Sequence, residues 1–489
     1  MSKQNRPLSN KKWDEEYFQR QRKQVLSLWS TGRAVNFQEA VAFHHQLPKG
    51  QNASRRTLAL KEQGITGMCP SMGKDTLKRH KELLQFMRKE AGIDIATTYI
   101  DSLTRNGRFP TAQKELWEAL TTSKPRLNGF PVVEHGVAGN RNLIQSLDIP
   151  VLLFGPTPDA RLVHEIGLAG GHTGYSGGPL ISFWNYTKDV PVENILHNFQ
   201  YINRLMGAYE AHGVPMMYCV SGAMPATSPP SIMLAAEIIE LLIAAAQGVK
   251  HIQLNCWVQG HLAQDLGMIL SFQELAREYL DKFGFEDVQT TTYSVSPTGR
   301  FPLAYDQVYG LISYYAVLGA LAGVQLIGSR TIDEAHHIPT PEGTAHSFRC
   351  AAMSLKMLRG QKLPVTDLPE VQQERYYTSM ETRAMVDKVL EMGDGDIVKG
   401  TPLAINEGYL DQPYSTSQLV KGKVLGVKDA TGAARFFDAG NLPFDKEILD
   451  FHKSCLMQRE SQLGKDIDYE TVVKDLTSVS EGALLSEFL

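Results

Sequence analysis

The chain has 489 residues, 43% of them apolar, and its 49 Lys and Arg against 53 Asp and Glu leave a formal charge of −4. That length supports two or three domains, or one large barrel with extensions, and the apolar share builds a sizeable core. The near-balanced charge gives no electrostatic footprint for nucleic acid, and five scattered cysteines without a CxxC argue against a disulfide framework or a thiolate metal site, pointing to a reducing cytoplasm.

In chain order, MSKQNRPLSNKK (1–12) is basic and polar and lacks the apolar core of a secretory signal. Residues 1–57 read as a helical extension that wraps the main domain. Short β-prone runs then recur at 64–69, 93–100, 127–133, 150–155, 214–221, 251–257, 287–295 and 323–329. Helix-patterned segments lie between them, among them 77–90, 141–147, 195–213 and 271–284. The most apolar run, 232–249, is interrupted by Glu237 and Glu240 and reads as a buried amphipathic helix, not a membrane span. Eight strands alternating with helices predict an α/β fold, a (β/α)8 TIM barrel over residues 58–360. An open doubly wound sheet is the rival, but GITGMCPSMG (64–73) is not the Gly-rich dinucleotide turn that usually opens one. Residues 361–489 read as a small mixed α/β domain, with a hairpin at 424–440 turning on DATG.

Candidate chemistry is sparse. His44–His45 and His336–His337 are adjacent pairs, whose side chains diverge, so metal ligation has little support. Cys69 has no evident partner for nucleophilic catalysis. Arg105 follows the second run, where carboxylate recognition or a solvated surface both account for it. Arg330 and Glu334 follow the last run, as a ligand site or a local ion pair. GLAGGHTGYSGG (167–178) has six glycines in twelve residues. Placed after the 150–155 run and a short helix, it reads as a βα connection at the carboxyl-terminal face, against either solvent or something large and flat.

The chain resembles the large (E, or epsilon) subunit of glutamate mutase, also called methylaspartate mutase. The resemblance covers nearly the whole sequence and rests on segments in order: KKWDEEYFQRQRKQVLSLWSTGRAV (11–35), GITGMCPSMG (64–73), IDSLTRNGR (100–108), LNGFPVVEHGV (127–137), GPTPDARL (155–162), AGGHTGYSGG (169–178), RFP (300–302), DEAHHIPT (333–340) and FDAGNLPF (437–444). It implies a TIM barrel and adenosylcobalamin chemistry, in which cleavage of the cobalt–carbon bond gives a 5′-deoxyadenosyl radical that initiates a carbon-skeleton rearrangement. A separate small subunit carrying Asp-x-His-x-x-Gly supplies the cobalt ligand; that motif is absent here, so this chain is expected to provide no metal ligand. A homodimer of this chain within a heterotetramer, a small-molecule acid as substrate, and no nucleic-acid or membrane partner complete the expectation. The glycine stretch would then lie near the corrin.

Carried over position by position, the family's adenosyl contacts fall on Gly73, Asn128, Phe301, Glu334 and Ile338, all of the family's residue type. Its ribose-binding lysine falls on Arg330 and a proline on Asn185. The substrate positions are altered. Of three arginines that hold glutamate's carboxylates only Arg105 remains; the others fall on Ser71 and Phe154, and a neighbouring histidine on Gly155. The glutamate facing the substrate ammonium falls on Ser176 and a tyrosine on Ser182, while Tyr186 is kept. The resemblance thus implies the catalytic large subunit of a glutamate-mutase-type enzyme, converting L-glutamate to threo-3-methyl-L-aspartate or performing a related rearrangement. A paralogue acting on a less charged substrate (an amide, a 2-oxo acid or a carrier-bound acyl group) is the alternative, and a non-catalytic partner of a cobalamin subunit is a third.

Overall fold

Nine parallel strand segments form one sheet: β1 (Gly67–Met68), β2 (Ser71–Met72), β3 (Ala96–Tyr99), β4 (Val151–Phe154), β5 (Gly174–Ser176), β6 (Met217–Cys219), β7 (His251–Trp257), β8 (Gln289–Val295) and β9 (Leu326–Gly328). The computed structural model describes residues 7–223, 227–296, 299–361 and 363–488; residues 1–6 of the expected N-terminal extension and residues 362 and 489 of the expected C-terminal part lie outside these. β1 and β2 are two halves of one stave. β1 pairs with β9 (Gly67 with Leu326) and β2 with β3 (Ser71 with Thr97), so this stave closes the ring. Pro70 sits between the halves, where its missing N–H interrupts the ladder, while its carbonyl still accepts from Thr97 N at 3.0 Å. The result is an eight-staved (β/α)8 barrel, as the alternation predicted.

One of the eight expected strands is wrong, and another was not foreseen. Residues 127–133 are not a strand: Ile100 and Phe130 make a single bridge, and a helix, Val132–Ile144, begins at once. The apolar run FPVV is buried because Phe130 stacks between His80 and His135, each 4.6 Å away between ring centroids, not because it joins a sheet. A short apolar run cannot separate these cases by periodicity. The missing stave is β5, inside the glycine stretch itself. GLAGGHTGYSGG is therefore not a βα connecting loop: His172, Thr173 and Tyr175 are buried, and residues 174–176 are barrel wall. Glycine is required at 174 because a Cβ there would collide with the backbone carbonyl of Met217 on β6.

The helix Ser231–Gln247 is buried at every position but Ala246, so it is apolar all round and not amphipathic. Its two acids face the loops of the barrel mouth. Glu240 accepts from Ser221 N at 2.8 Å and Leu180 N at 3.0 Å; Glu237 accepts from Gly222 N at 3.1 Å and Asn255 N at 3.2 Å. Gly178 is the second obligatory glycine, since any Cβ there would strike the Glu240 carboxylate. Among the described residues, no helix is long and apolar enough to cross a membrane.

The opposite end of the barrel is plugged by the helix Ala53–Gln63, whose Ala53 and Leu60 join Cys69, Leu152, Met217 and Leu326 in the interior cluster. At the C-terminal side the helix Pro369–Met392 packs along Leu262–Lys282. The expected hairpin is present, β10 (Leu425–Lys428) antiparallel to β11 (Ala434–Asp438), and Asp429 closes its turn by accepting from Thr431 N at 2.8 Å. Arg435 ties it down, bonding Glu374 and, at 2.7 Å, Asp429.

Candidate active site

Every site residue singled out in the sequence sits at the carboxyl-terminal end of a barrel stave or in the segment after it. This is the face where βα segments assemble active sites. A small cavity of about 40 Å³ lies inside the barrel at this end. Ser71 of β2, Phe154 of β4 and Ser176 of β5 line it together. Thr97, Cys219, Tyr293, Gln253, Asn255 and Trp257 complete its polar wall.

Among the described residues no Asp, Glu, Lys, Arg or His lines this cavity. Its titratable groups are held neutral. Burial pushes the Cys69 thiol up to about 12, the Thr97 hydroxyl at 3.1 Å opposing weakly, and drives Cys219 and Tyr293 well above their ordinary values. Tyr293 donates to the Cys69 carbonyl at 3.1 Å. Ser176 is only 6% exposed and hydrogen-bonds the Cys219 thiol.

Arg105 stands beside the cavity's Phe154 wall, at the end of the short helix Ser102–Arg105. Asp101 caps that helix, accepting from Leu103 N at 2.9 Å and Thr104 N at 3.0 Å. The guanidinium donates to the carbonyls of Ile100 (3.1 Å) and Pro156 (3.3 Å) and to the Tyr99 hydroxyl (3.3 Å). It lies 5.2 Å from the Tyr99 ring centroid and 5.9 Å from that of Tyr186, and Tyr99 in turn packs on Phe154 at 5.4 Å. Gly155 makes room for it: a Cβ at 155 would meet Arg105 Cδ at 2.5 Å. Among the described residues no carboxylate pairs with Arg105. Of the two other arginines that could rebuild a carboxylate clamp, Arg126 is engaged on the outer surface with Glu115 and Glu118, each at 2.8 Å, and Arg108 is exposed.

A second cluster stands across the mouth. Arg330 pairs with Glu334 at 3.0 Å and lies 5.7 Å from the Phe301 ring, with both charged side chains part-exposed. Tyr186 links the clusters. Burial raises its phenol pKa, Tyr99 adds to the rise, and the charges of Arg105 and Arg330 both oppose it. Asn128 accepts from Ser102 N at 2.9 Å, tying it to the Arg105 helix, and Gly73 fits against Gly129 beside it. Asn185 keeps a buried Oδ1 with no protein partner among the described residues. Ser182 does not join the cavity: it is fully buried and donates to the Gly178 carbonyl at 2.7 Å. Ile338 projects into solvent, 76% exposed.

Sequence reasoning missed Gln253, Asn255 and Trp257. Their signal was present: in HIQLNCW the odd positions are polar or amphipathic and the even ones apolar. In a parallel barrel stave buried on both faces, that alternation marks an inward polar row.

The family model described as Methylaspartate mutase E chain (MutE) matches residues 47–487. The glutamate mutase epsilon subunit of Desulfitobacterium hafniense (strain Y51) is 38% identical over 98% of this chain and 99% of that protein. Those of Treponema denticola and Escherichia coli O157:H7 are each 35% identical, over 97% and 98% of this chain and 98% and 99% of their own lengths. The chain belongs to the methylaspartate mutase E chain family.

Proposed function

We propose that this member of a cobalamin-dependent family is the catalytic large subunit of an adenosylcobalamin-dependent carbon-skeleton mutase of glutamate-mutase type, working in the cytoplasm with a small cobalamin-binding subunit. The observation that carries the reading is the paired arrangement at the mouth. Arg105 and the Arg330–Glu334 pair both bear on Tyr186, at the open end of a barrel cavity. The residues present fit the cofactor's adenosyl group. Asn185 offers a buried, unpartnered acceptor, Asn128 and Glu334 offer polar groups at the rim, and the small Gly73 lies beside Asn128. Arg330 keeps the positive charge of the family's lysine in a planar fork. When bound, the cofactor supplies the homolytic chemistry that a protein side chain cannot. The chain's own residues bind and orient the substrate and exclude water around it. The cobalt ligand comes, in this reading, from the small subunit.

A second reading concerns the substrate, and a specific observation favours it: the cavity wall carries no ionisable group that is charged at neutral pH. Glutamate brings two carboxylates and an ammonium. Arg105 answers one carboxylate; the others would be desolvated without counter-charge. A less charged acid suits the wall better. Reconstitution tests the function. The chain, a small subunit carrying Asp-x-His-x-x-Gly and adenosylcobalamin are mixed with a panel of small acids, following cofactor affinity and substrate-dependent change in corrin absorbance. Weak cofactor binding by the chain alone, gain on adding the small subunit, and an absorbance change with at least one acid are expected. Tight histidine-ligated binding by the isolated chain refutes the division of labour, and absence of any change refutes the mutase reading.

A further inference from the structure

We propose that Gln253, Asn255 and Trp257 form a substrate-reading row that takes an uncharged carboxamide, while Arg105 takes a carboxylate at the substrate's other end. The inference rests on the mutase reading of this site and names the chemical class of its substrate: a small acid monoamide.

The three residues alternate along β7, so one face of the stave presents all of them, and all three line the cavity. Gln253 is 1% and Asn255 2% exposed. Each residue has a buried polar atom without a protein partner among the described residues: Gln253 Nε2, Asn255 Oδ1 and Trp257 Nε1. Buried polar groups are nearly always paired, and three orphans in one row of one cavity call for a ligand. Asn255 Nδ2 donates to Ser221 Oγ at 3.4 Å and its backbone N to Glu237, which leaves Oδ1 as the free atom.

The row therefore offers two donors, Gln253 Nε2 and Trp257 Nε1, and one acceptor, Asn255 Oδ1. A carboxylate only accepts and would set its lone pairs against Asn255 Oδ1. An ammonium only donates and would oppose both N–H groups. A carboxamide does both: its oxygen accepts from the two donors and its NH2 donates to the acceptor. The neutral wall around it supplies no counter-charge to either ion.

The test is calorimetric titration of the chain assembled with the small subunit and adenosylcobalamin. The probes are glutaramate (the monoamide of glutarate), glutarate and L-glutamate. Glutaramate should bind at least tenfold more tightly than either competitor. Gln253→Leu and Trp257→Phe should each cut that preference to below threefold. Trp257→Phe keeps an aromatic ring in place and loses the N–H, so it decides the matter should Gln253→Leu fail to fold. Parity among the three ligands, preference for an ionic one, or no binding of glutaramate overturns the proposal. So does a Trp257→Phe variant that melts lower yet keeps its preference, as expected were these atoms there for structural water alone. The mutase reading is tested separately, by corrin absorbance. A preference for glutaramate without any absorbance change overturns that reading and leaves the row standing. An absorbance change with L-glutamate but not glutaramate does the reverse.

Discussion

Replacing Arg105 separates ligand binding from scaffolding at the mouth. Its guanidinium already makes three hydrogen bonds to the protein, to Ile100 O, Pro156 O and Tyr99 Oη. At net values of roughly 0.5–1.5 kcal/mol each for such bonds, losing all three costs about 1.5–4.5 kcal/mol of stability. A purely structural arginine would show that cost and nothing else. The cation has no carboxylate partner among the described residues, and charge-assisted bonds to a ligand carboxylate are worth roughly 1.5–3 kcal/mol each. Arg105→Lys keeps the charge and loses the fork, so about one such bond is lost, or roughly 10- to 150-fold in Kd. Arg105→Met keeps an apolar stem against Tyr99 and loses both bonds, about 3–6 kcal/mol or two to four decades. The assay is calorimetric titration of the assembled complex with glutarate and with glutaramate, beside thermal unfolding of each variant. Both ligands should weaken, since each carries at least one carboxylate. An Arg105→Met variant that melts lower but binds both ligands within threefold of the parent refutes the assignment, and leaves Arg105 as a brace for the turn after β3.

Gly178→Ala pushes a methyl into the Glu240 carboxylate and breaks its bonds to Leu180 N and Ser221 N, so thermal unfolding should show a loss of about 2–4 kcal/mol, while Gly50→Ala, which meets open space, should be near neutral. Stability should peak between pH 6 and 7. Burial lowers His44, His164 and His172 to about 4 and His80 to about 3, so they stay neutral in the fold and stability is lost as pH falls below 6.5; burial raises Glu134 and Glu240 to about 8 and Asp265 to about 7, so stability is also lost as pH rises from the ordinary carboxyl range through 8. With His135 and His261 also lowered and Glu237 and Asp101 also raised, six histidines outnumber five carboxyls below pH 6.5, and the carboxyls dominate just above it; a melting temperature still climbing from pH 7 to 8.5 contradicts this. Glu334→Gln should leave the melting temperature within a degree or two, because its pairing with Arg330 is part-exposed, yet weaken adenosylcobalamin binding by the assembled complex at least tenfold in an absorbance titration; unchanged affinity reduces the pair to a surface contact.

The barrel was legible because its unit repeats. Strands such as HIQLNCW and helices such as Leu77–Ala91 carry the period-2 and period-3.6 patterns that backbone geometry imposes. The stave β5 was not legible, because three residues flanked by glycines carry no period, and the close approach of Met217 O that demands Gly174 comes from a residue far along the chain. Residues 127–133 misled for the converse reason: Phe130 is buried by two histidines that local sequence does not reveal as its partners. The site divided along the same line. Arg105, Tyr186 and Glu334 stood out through the family resemblance. The β7 row needed the barrel's interior to be known before its polar alternation had a meaning.

Two buried acids lie behind this neutral cavity, Glu237 bonded to Asn255 N of β7 and Glu240 to Ser221 N and Leu180 N. Burial, opposed by the Gly222 N–H and assisted by Glu240, pushes Glu237 well above its ordinary value; burial likewise raises Glu240 to about 8, against the N–H groups of Ser221, Leu180 and Ile181. Burial thus favours the neutral form of both and weakens the field they put into the cavity. What remains is asymmetric: one cation without a direct carboxylate contact among the described residues, Arg105, beside the Phe154 wall, and a neutral donor–acceptor row on β7. A ligand with one carboxylate has only one orientation that leaves no charge unpaired, carboxylate to Arg105 and neutral end to β7. Reversing it would desolvate the anion and leave the cation without a partner. Ser176 belongs to the same arrangement. An ionised carboxylate there would lie against the Cys219 thiol in a site 6% exposed, with no ammonium to meet it, and would abolish the polarity that orients the substrate.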